Sequence, residues 1–82
     1  MDVEKTVLSF FKSKKNAPDC SDEELLKYNY INAELLDSVG IVEMITDFEE
    51  TFVIRFSQDD FQSEIFQTID GLISIIERLR ER

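Results

Sequence analysis

Glycine and proline are scarce in this chain, which has two Gly and one Pro in 82 residues. An all-β chain of this length needs many tight turns, and these residue types supply the backbone conformations that such turns require. Helix formers such as Glu, Leu, Lys and Ile are plentiful instead. We therefore expect an all-α fold, with residues 1–82 forming a single small domain.

The spacing of the apolar residues predicts three longer helices and one short one. In chain order, the predicted helices cover residues 2–14, residues 37–52, a short stretch around Phe61 and the segment from Ile69 onward. Ser57 and Thr68 are the expected N-caps of the last two. Residues 52–56 alternate weakly but have no evident partner strand, so we interpret them as an extended connector that buries Ile54 and Phe56.

Residues 16–36 show no sustained periodicity and are predicted to form a long loop. Ser21 followed by Glu24 has the form of a capping box, which allows a short helical turn through Leu25 and Leu26. A loop of this length in so small a domain is usually functional or is evidence of a mistaken assignment.

The helix of residues 37–52 has two opposite faces at about 100° per residue. We expect Val39, Glu43, Thr46 and Glu50 on its exposed face. The predicted core residues of the chain are Ile41, Met44, Ile45, Phe48, Phe52, Ile54, Phe56, Phe61, Phe66, Ile69, Leu72 and Ile76.

Negative charge is concentrated in the middle of the chain. Residues 16–70 contain fourteen acidic residues against Lys27 and Arg55, whereas both ends are weakly basic and the total net charge is −9. An acidic surface repels nucleic acid and anionic membranes. The charge therefore indicates basic proteins as partners, with no nucleic acid and no membrane insertion.

Several kinds of chemistry are excluded by residue types that the chain lacks. It has no His, so Ser-His-Asp and Cys-His catalytic arrangements are excluded, and no glycine-rich loop precedes a helix. Asp59, Asp60, Glu64 and Asp70 lack the spacing and central Gly of a calcium-binding EF-hand, so we expect solvated acids and no metal site. These absences favour a protein without enzymatic activity of its own.

A single cysteine, Cys20, cannot form an intrachain disulfide, which indicates a reducing compartment. The N-terminus has no basic-then-apolar signal pattern, and no apolar run approaches the ~20 residues of a membrane-spanning helix. We therefore predict a cytoplasmic protein.

The segment Leu36-Asp37-Ser38-Val39, followed by Val42-Glu43-Met44 and residues 48–54, resembles the Asp-Ser-Leu signature and recognition helix of acyl carrier proteins. The apolar connector, the short helix and the last helix resemble the corresponding parts of that family, so the resemblance spans essentially the whole chain. It implies an acyl-carrier-like four-helix bundle with a short third helix and a long loop after the first.

The resemblance implies a covalent cofactor on Ser38. In acyl carrier proteins, a phosphopantetheinyl transferase moves 4′-phosphopantetheine from coenzyme A to the matching serine, and its thiol carries acyl or aminoacyl groups as thioesters. Ser38 suits this role, because a helix N-terminus favours an anion through its free N–H groups and dipole. Two alternatives remain: Ser38 serves only as an N-cap, or Asp37 is the cap and leaves Ser38 free to react.

The resemblance also implies a surface for partner enzymes on the same helix. Acidic side chains there would meet Arg and Lys patches of phosphopantetheinyl transferases, synthases and loading ligases, and we expect a monomer. The matching positions are Val39, Val42, Glu43, Thr46, Glu49 and Glu50.

Some positions depart from the pattern of fatty-acid carriers. A glycine before the serine is replaced by Glu34 or Leu35, and Gly40 stands where an acidic residue is usual. Leu-Leu-Asp-Ser followed by Gly40 is also similar to D-alanyl carrier proteins. We predict a carrier of a specialised lipid, polyketide or peptide pathway rather than of housekeeping fatty acid biosynthesis. The alternatives are a D-alanyl or other aminoacyl carrier, and an unmodified acidic interaction module of the same fold.

Overall fold

Each helix of this protein begins after a short polar side chain that accepts a hydrogen bond from the first turn. A computed structural model describes residues 2–14 and 17–81, and these contain five α-helices and one 3₁₀-helix. The helices are α1 (Val3–Lys12), α2 (Asp22–Leu26), α3 (Ser38–Phe52), α4 (Gln58–Gln62), the 3₁₀-helix (Glu64–Gln67) and α5 (Ile69–Arg80). Their N-caps are Asp2, Ser21, Asp37, Ser57, Ser63 and Thr68, respectively.

The predicted all-α architecture is confirmed. The described residues contain no strand, and α1, α3, α4 and α5 match the four predicted helices. α2 is the short helical turn that the Ser21 and Glu24 pattern allows within residues 16–36, and the 3₁₀-helix, which joins α4 to α5, is an addition to the prediction. Of the predicted loop, Asn16 lies outside the described residues, as does Lys15 before it.

The chain between α2 and α3 is tied to the start of α5. An isolated antiparallel bridge joins Asn29 to Thr68, and the Ile69 N–H donates to the Tyr28 carbonyl at 3.2 Å. The hydroxyl of buried Tyr30 donates to the Phe66 carbonyl. These bonds satisfy backbone groups that lie outside the helices, which holds the loop close to the core.

The core is built on α5 and on rings contributed by the other helices. α5 packs against α1, α2 and the 3₁₀-helix. Phe10 contacts Phe48 with ring centroids 5.1 Å apart, and Phe11 contacts Tyr30 at the same distance. The buried side chains of α5 are Ile69, Leu72, Ile73, Ile75 and Ile76. α3 buries Met44, Phe48 and Phe52 in the same core, and the Phe48 ring holds it against Phe10 of α1.

Two predictions about α4 are wrong. Phe61 was expected in the core but is 42% exposed, and Asp60 was expected in solvent but is only 5% exposed. Adjacent residues of a helix project about 100° apart, so Asp60 and Phe61 face different sides of α4, and only Asp60 faces the core. Asp60 faces inward because it completes the capping box with Ser57 and pairs with Arg78 at 2.5 Å.

Three other predicted core residues, Ile41, Ile45 and Ile54, are only half-buried. Ile54 belongs to the connector after α3, which begins at Val53 in a left-handed conformation, with φ of 54°. Phe56 is buried, as predicted. Its N–H donates to the Glu49 carboxylate at 2.9 Å, which fixes the connector to α3.

Candidate functional site

The start of α3 is positioned by the apolar residues before it. Leu35 is buried and Leu36 half-buried, and the Leu35 N–H donates to the Tyr30 carbonyl at 3.1 Å. Glu34 makes the turn with a positive φ of 55°. These contacts fix the chain just before α3, and the next two residues, Asp37 and Ser38, lie at the surface.

Asp37, not Ser38, is the N-cap of α3. Its Oδ1 accepts a hydrogen bond from the Gly40 N–H at 2.7 Å, and its carbonyl accepts from the Ile41 N–H at 2.9 Å. Ser38 is the first residue of the helix and is exposed, and its hydroxyl has no hydrogen-bond partner in the described chain. The alternative in which Ser38 serves only as a cap is therefore excluded by this geometry.

Gly40 fits the space beside the cap. A Cβ atom at this position would lie 3.1 Å from the Asp37 Oδ1 and 3.3 Å from the Leu36 Cβ. A larger side chain would crowd the capping carboxylate. The glycine at position 40, where fatty-acid carriers usually have an acidic residue, therefore leaves room for the capping carboxylate of Asp37.

The electrostatic environment of Ser38 suits an attached anion. α3 is 15 residues long and has no acidic side chain in its first turn. The Asp37 carboxylate takes the Gly40 N–H, but the Ser38 and Val39 N–H groups have no acceptor in the described chain, and the dipole adds positive potential there. A phosphate ester on the Ser38 oxygen would lie beside these groups.

The exposed face of α3 begins next to Ser38. Val39 is 65% exposed and Val42 is 62% exposed, although both are large apolar side chains. Glu43, Thr46 and Glu50 are also exposed. The structure brings Val42, Glu43, Thr46 and Glu50 together along one groove of about 470 Å³.

Glu49 differs from the other positions of the predicted partner surface. It is half-buried, and its Oε2 accepts the hydrogen bond from the Phe56 N–H. Its carboxylate thus holds the connector after α3, on the side of the helix away from Glu43.

Sequence reasoning missed three residues of the groove. Asp47 lies four residues after Glu43 and three before Glu50, so helical spacing alone could have found it. Phe10 and Lys14 come from the end of α1 and the residues after it, and no local signal in the sequence relates them to α3.

Other kinds of site have no support in the described residues. Within residues 2–14 and 17–81, no three His, Cys, Asp or Glu side chains are arranged to hold a metal ion. None of the helices in this part of the chain combines the length and apolar character needed to cross a bilayer. Burial raises the pKa of the Tyr30 phenol, but this group lies in the core.

The chain is similar to curated D-alanyl carrier proteins of Streptococcus pyogenes. Those of serotype M5 (strain Manfredo), serotype M49 (strain NZ131) and serotype M1 are each 29% identical over 82 residues, which cover 98% of this chain and 98% of the relative. No protein-family model matches the chain. No solved structure matches it significantly.

Proposed function

We infer that this chain, which belongs to the acyl and peptidyl carrier protein family, is a single carrier domain that holds its cargo on 4′-phosphopantetheine attached to Ser38. The observation that carries this proposal is the exposed Ser38 hydroxyl, which has no partner in the described chain because Asp37 provides the helix cap. The likeness to D-alanyl carrier proteins along nearly the full chain supports the carrier role.

The residues at the start of α3 fit the proposed group. Ser38 provides the oxygen for a phosphodiester, and the N–H groups of the first turn stabilise its negative charge. Asp37 keeps the helix start ordered, so the serine oxygen stays at the surface. When bound, phosphopantetheine supplies a terminal thiol that forms thioesters. A thiol of this kind, like the free Cys20, needs a reducing compartment, and we propose the cytoplasm.

The proposed cargo is an aminoacyl group, with D-alanine as the first candidate. The relatives named D-alanyl carrier proteins support this alternative over a lipid or polyketide acyl group. The run Leu35-Leu36-Asp37-Ser38 followed by Gly40 is consistent with it.

The proposed partners are a phosphopantetheinyl transferase and loading ligases with basic patches. Val39 and Val42 would supply apolar contact, and the carboxylates of Glu43 and Glu50 would attract Arg and Lys side chains. Docking of this type is fast and weakens as salt is added.

Intact mass measurement tests the attachment site. We expect the wild-type chain to gain one phosphopantetheine when incubated with coenzyme A, Mg²⁺ and a permissive transferase, and Ser38→Ala to gain none. Since Asp37 is the cap, Ser38→Ala should change the free energy of unfolding by less than about 0.5 kcal/mol. An unmodified wild-type chain beside an active control carrier would contradict the proposal and would favour the unmodified interaction module.

Loading assays test the cargo. The modified chain is incubated with ATP and either a D-alanine-activating ligase or a fatty-acid-activating ligase, and thioester formation is measured by mass. We expect loading with D-alanine only. Loading with the fatty acid alone would overturn the aminoacyl proposal and leave the carrier role intact.

Charge reversal tests the partner surface. Glu43→Lys and Glu50→Lys should slow modification at low salt without lowering the free energy of unfolding, because both side chains are exposed and each lysine would pair with Asp47. Glu49→Gln is the matched control, and it should lower stability by about 1 kcal/mol because it weakens the bond to the Phe56 N–H. Unchanged modification rates in both charge-reversal variants would contradict the assignment of the surface.

A further inference from the structure

A second cleft lies at the end of α3 that is far from Ser38. Its volume is about 470 Å³, and the residues that line it are Glu49, Val53, Ile54, Arg55 and Leu79. Three of these five side chains are aliphatic. Val53, Ile54 and Arg55 belong to the connector after α3, and Leu79 comes from the last turn of α5. We call this surface the connector cleft.

Val53 projects into solvent from an unusual backbone conformation. It is 89% exposed and has φ of 54° and ψ of 55°. A β-branched residue is rare in this left-handed region, and glycine is usual where a helix ends in it. Because the side chain is exposed, packing within the fold gives no reason for a valine here. A strained and exposed apolar residue of this kind points to a role in binding.

Arg55 provides the charge of the connector cleft. It is exposed, and no ion pair of the described chain includes it. Glu49 lines the same cleft, but it is half-buried and its carboxylate accepts the hydrogen bond from the Phe56 N–H. The guanidinium group of Arg55 therefore remains available to a partner.

The arginines of the described chain gather at this end of the molecule. Arg55 lines the connector cleft, and Arg78 and Arg80 stand on either side of Leu79 in α5. A guanidinium group matches a carboxylate through two parallel hydrogen bonds. The connector cleft thus combines aliphatic walls with a charge opposite to that of the exposed face of α3, and it suits an apolar group next to a carboxylate.

We propose that the connector cleft docks the loading ligase, with an apolar pocket of that enzyme covering Val53 and a carboxylate beside the pocket pairing with Arg55. A small ligand in the cleft would leave the projecting Val53 in solvent, whereas a protein surface covers both residues together. A second copy of the chain is a poor occupant, because both copies carry a net charge of −9. This proposal rests on the proposed function, because it adds a contact surface for one of the proposed partners.

The length of α3 favours the ligase over the phosphopantetheinyl transferase as the occupant. α3 has 15 residues, so its C-cap Val53 lies about 22 Å along the helix axis from Ser38. A standard interface buries about 800 Å² of each partner, which is a patch about 16 Å in radius. A transferase centred on Ser38 therefore does not reach Val53. An enzyme that acts at the free end of the phosphopantetheine need not be centred on Ser38.

Binding of a D-alanine-activating ligase to the full chain modified with phosphopantetheine tests the proposal. At about 0.15 M salt, where distant exposed charges are screened, we expect Val53→Gly to raise the Kd about tenfold because one apolar contact is lost. Arg55→Gln should raise the Kd about fivefold, and Arg55→Glu should raise it further. The KM of the ligase for each variant should rise in parallel while kcat stays unchanged, because neither residue contacts the reacting groups.

Two control variants separate binding from structure. Val53→Ile keeps the apolar side chain and should keep the wild-type Kd, whereas Val53→Gly should bind more weakly although it relieves the backbone strain and raises Tm. A purely structural role would not give changes of opposite sign. Lys27→Gln is the matched control for Arg55→Gln, because Lys27 is an exposed cation that does not line the cleft, and it should leave the Kd unchanged.

The transferase reaction is the internal comparison. The rate of phosphopantetheine transfer to Ser38, followed by mass, should change less than twofold in Val53→Gly and Arg55→Gln. Slowing of this reaction as large as the rise in Kd would overturn the assignment to the ligase. The proposal would also be overturned by a wild-type chain that does not bind the ligase, by a Kd unchanged in both Val53→Gly and Arg55→Glu, or by self-association that the ligase does not reverse. Attachment to Ser38 is measured separately, so failure of the connector cleft and failure of the carrier function are distinguishable.

Discussion

Replacing Asp60 with alanine should destabilise the protein more than any exposed acidic substitution. Asp60 is 5% exposed and accepts hydrogen bonds from the Ser57 N–H at 2.9 Å, the Ser57 hydroxyl at 3.0 Å and Arg78 at 2.5 Å. Loss of the bond from the Ser57 N–H, which is the Asp60 half of the capping box, costs about 1 kcal/mol. Loss of the bond from the Ser57 hydroxyl costs about 0.5–1 kcal/mol more. The ion pair adds at most ~1 kcal/mol, because the Arg78 side chain is half-exposed.

The sum is a loss of about 2–3 kcal/mol in the free energy of unfolding. For a domain of this size, that loss corresponds to a fall in Tm of about 10–20 °C. Thermal and urea unfolding followed by far-UV circular dichroism measure it.

The matched control is Asp59→Ala, because Asp59 is the exposed neighbour in the same helix. It should cost less than about 0.5 kcal/mol. A double-mutant cycle with Arg78→Ala should give a coupling energy of about 0.5–1 kcal/mol for the ion pair. Equal losses for Asp59→Ala and Asp60→Ala, or no coupling with Arg78, would refute the role assigned to the buried carboxylate.

Three further substitutions test other parts of the fold. Tyr30→Phe should cost about 1 kcal/mol in urea unfolding, because it leaves the Phe66 carbonyl without its donor. Burial raises the pKa of Tyr30 above its usual value, so the folded state favours the neutral phenol. The contribution of this phenol to stability is complete below pH ~10 and is lost as the pH rises further. The free energy of unfolding should therefore fall less steeply with pH in Tyr30→Phe than in the wild type. Gly71→Ala should lower Tm by about 10–20 °C, at a cost of about 2–3 kcal/mol, since its Cβ would lie 1.8 Å from the Ile65 carbonyl oxygen. Val53→Gly should instead raise Tm, with a gain of about 0.5–1 kcal/mol, because Val53 is 89% exposed and has a positive φ; a lower Tm would contradict this account.

Local signals in the sequence were sufficient to predict where α4 and α5 begin. Ser57 and Thr68 cap α4 and α5 as expected, because an N-cap depends on residues within one turn. The choice between Asp37 and Ser38 needed the structure, since both residue types cap helices well and only the bond from the Gly40 N–H decides between them.

Features that depend on contacts between distant segments were not predictable from local patterns. The short helix α4 has too few turns for periodicity to show which side faces the core. The prediction therefore placed Phe61 in the core and Asp60 in solvent, the reverse of what the structure shows. The groove was missed for the same reason, because Phe10 and Lys14 meet α3 only through tertiary packing. The position of Ser38 was predictable because it depends on one helix start.

The bridge between Asn29 and Thr68 brings the two ends of residues 30–67 side by side. This segment contains α3, α4 and the 3₁₀-helix, and α1, α2 and α5 lie outside it. Closing a flexible loop of this length costs about 3 kcal/mol of chain entropy, so the bridge should form late in folding. Because both ends meet at one point but the segment shares one core with α1, α2 and α5, we expect its exchange between carriers to succeed only where the core residues of these three helices are kept as well.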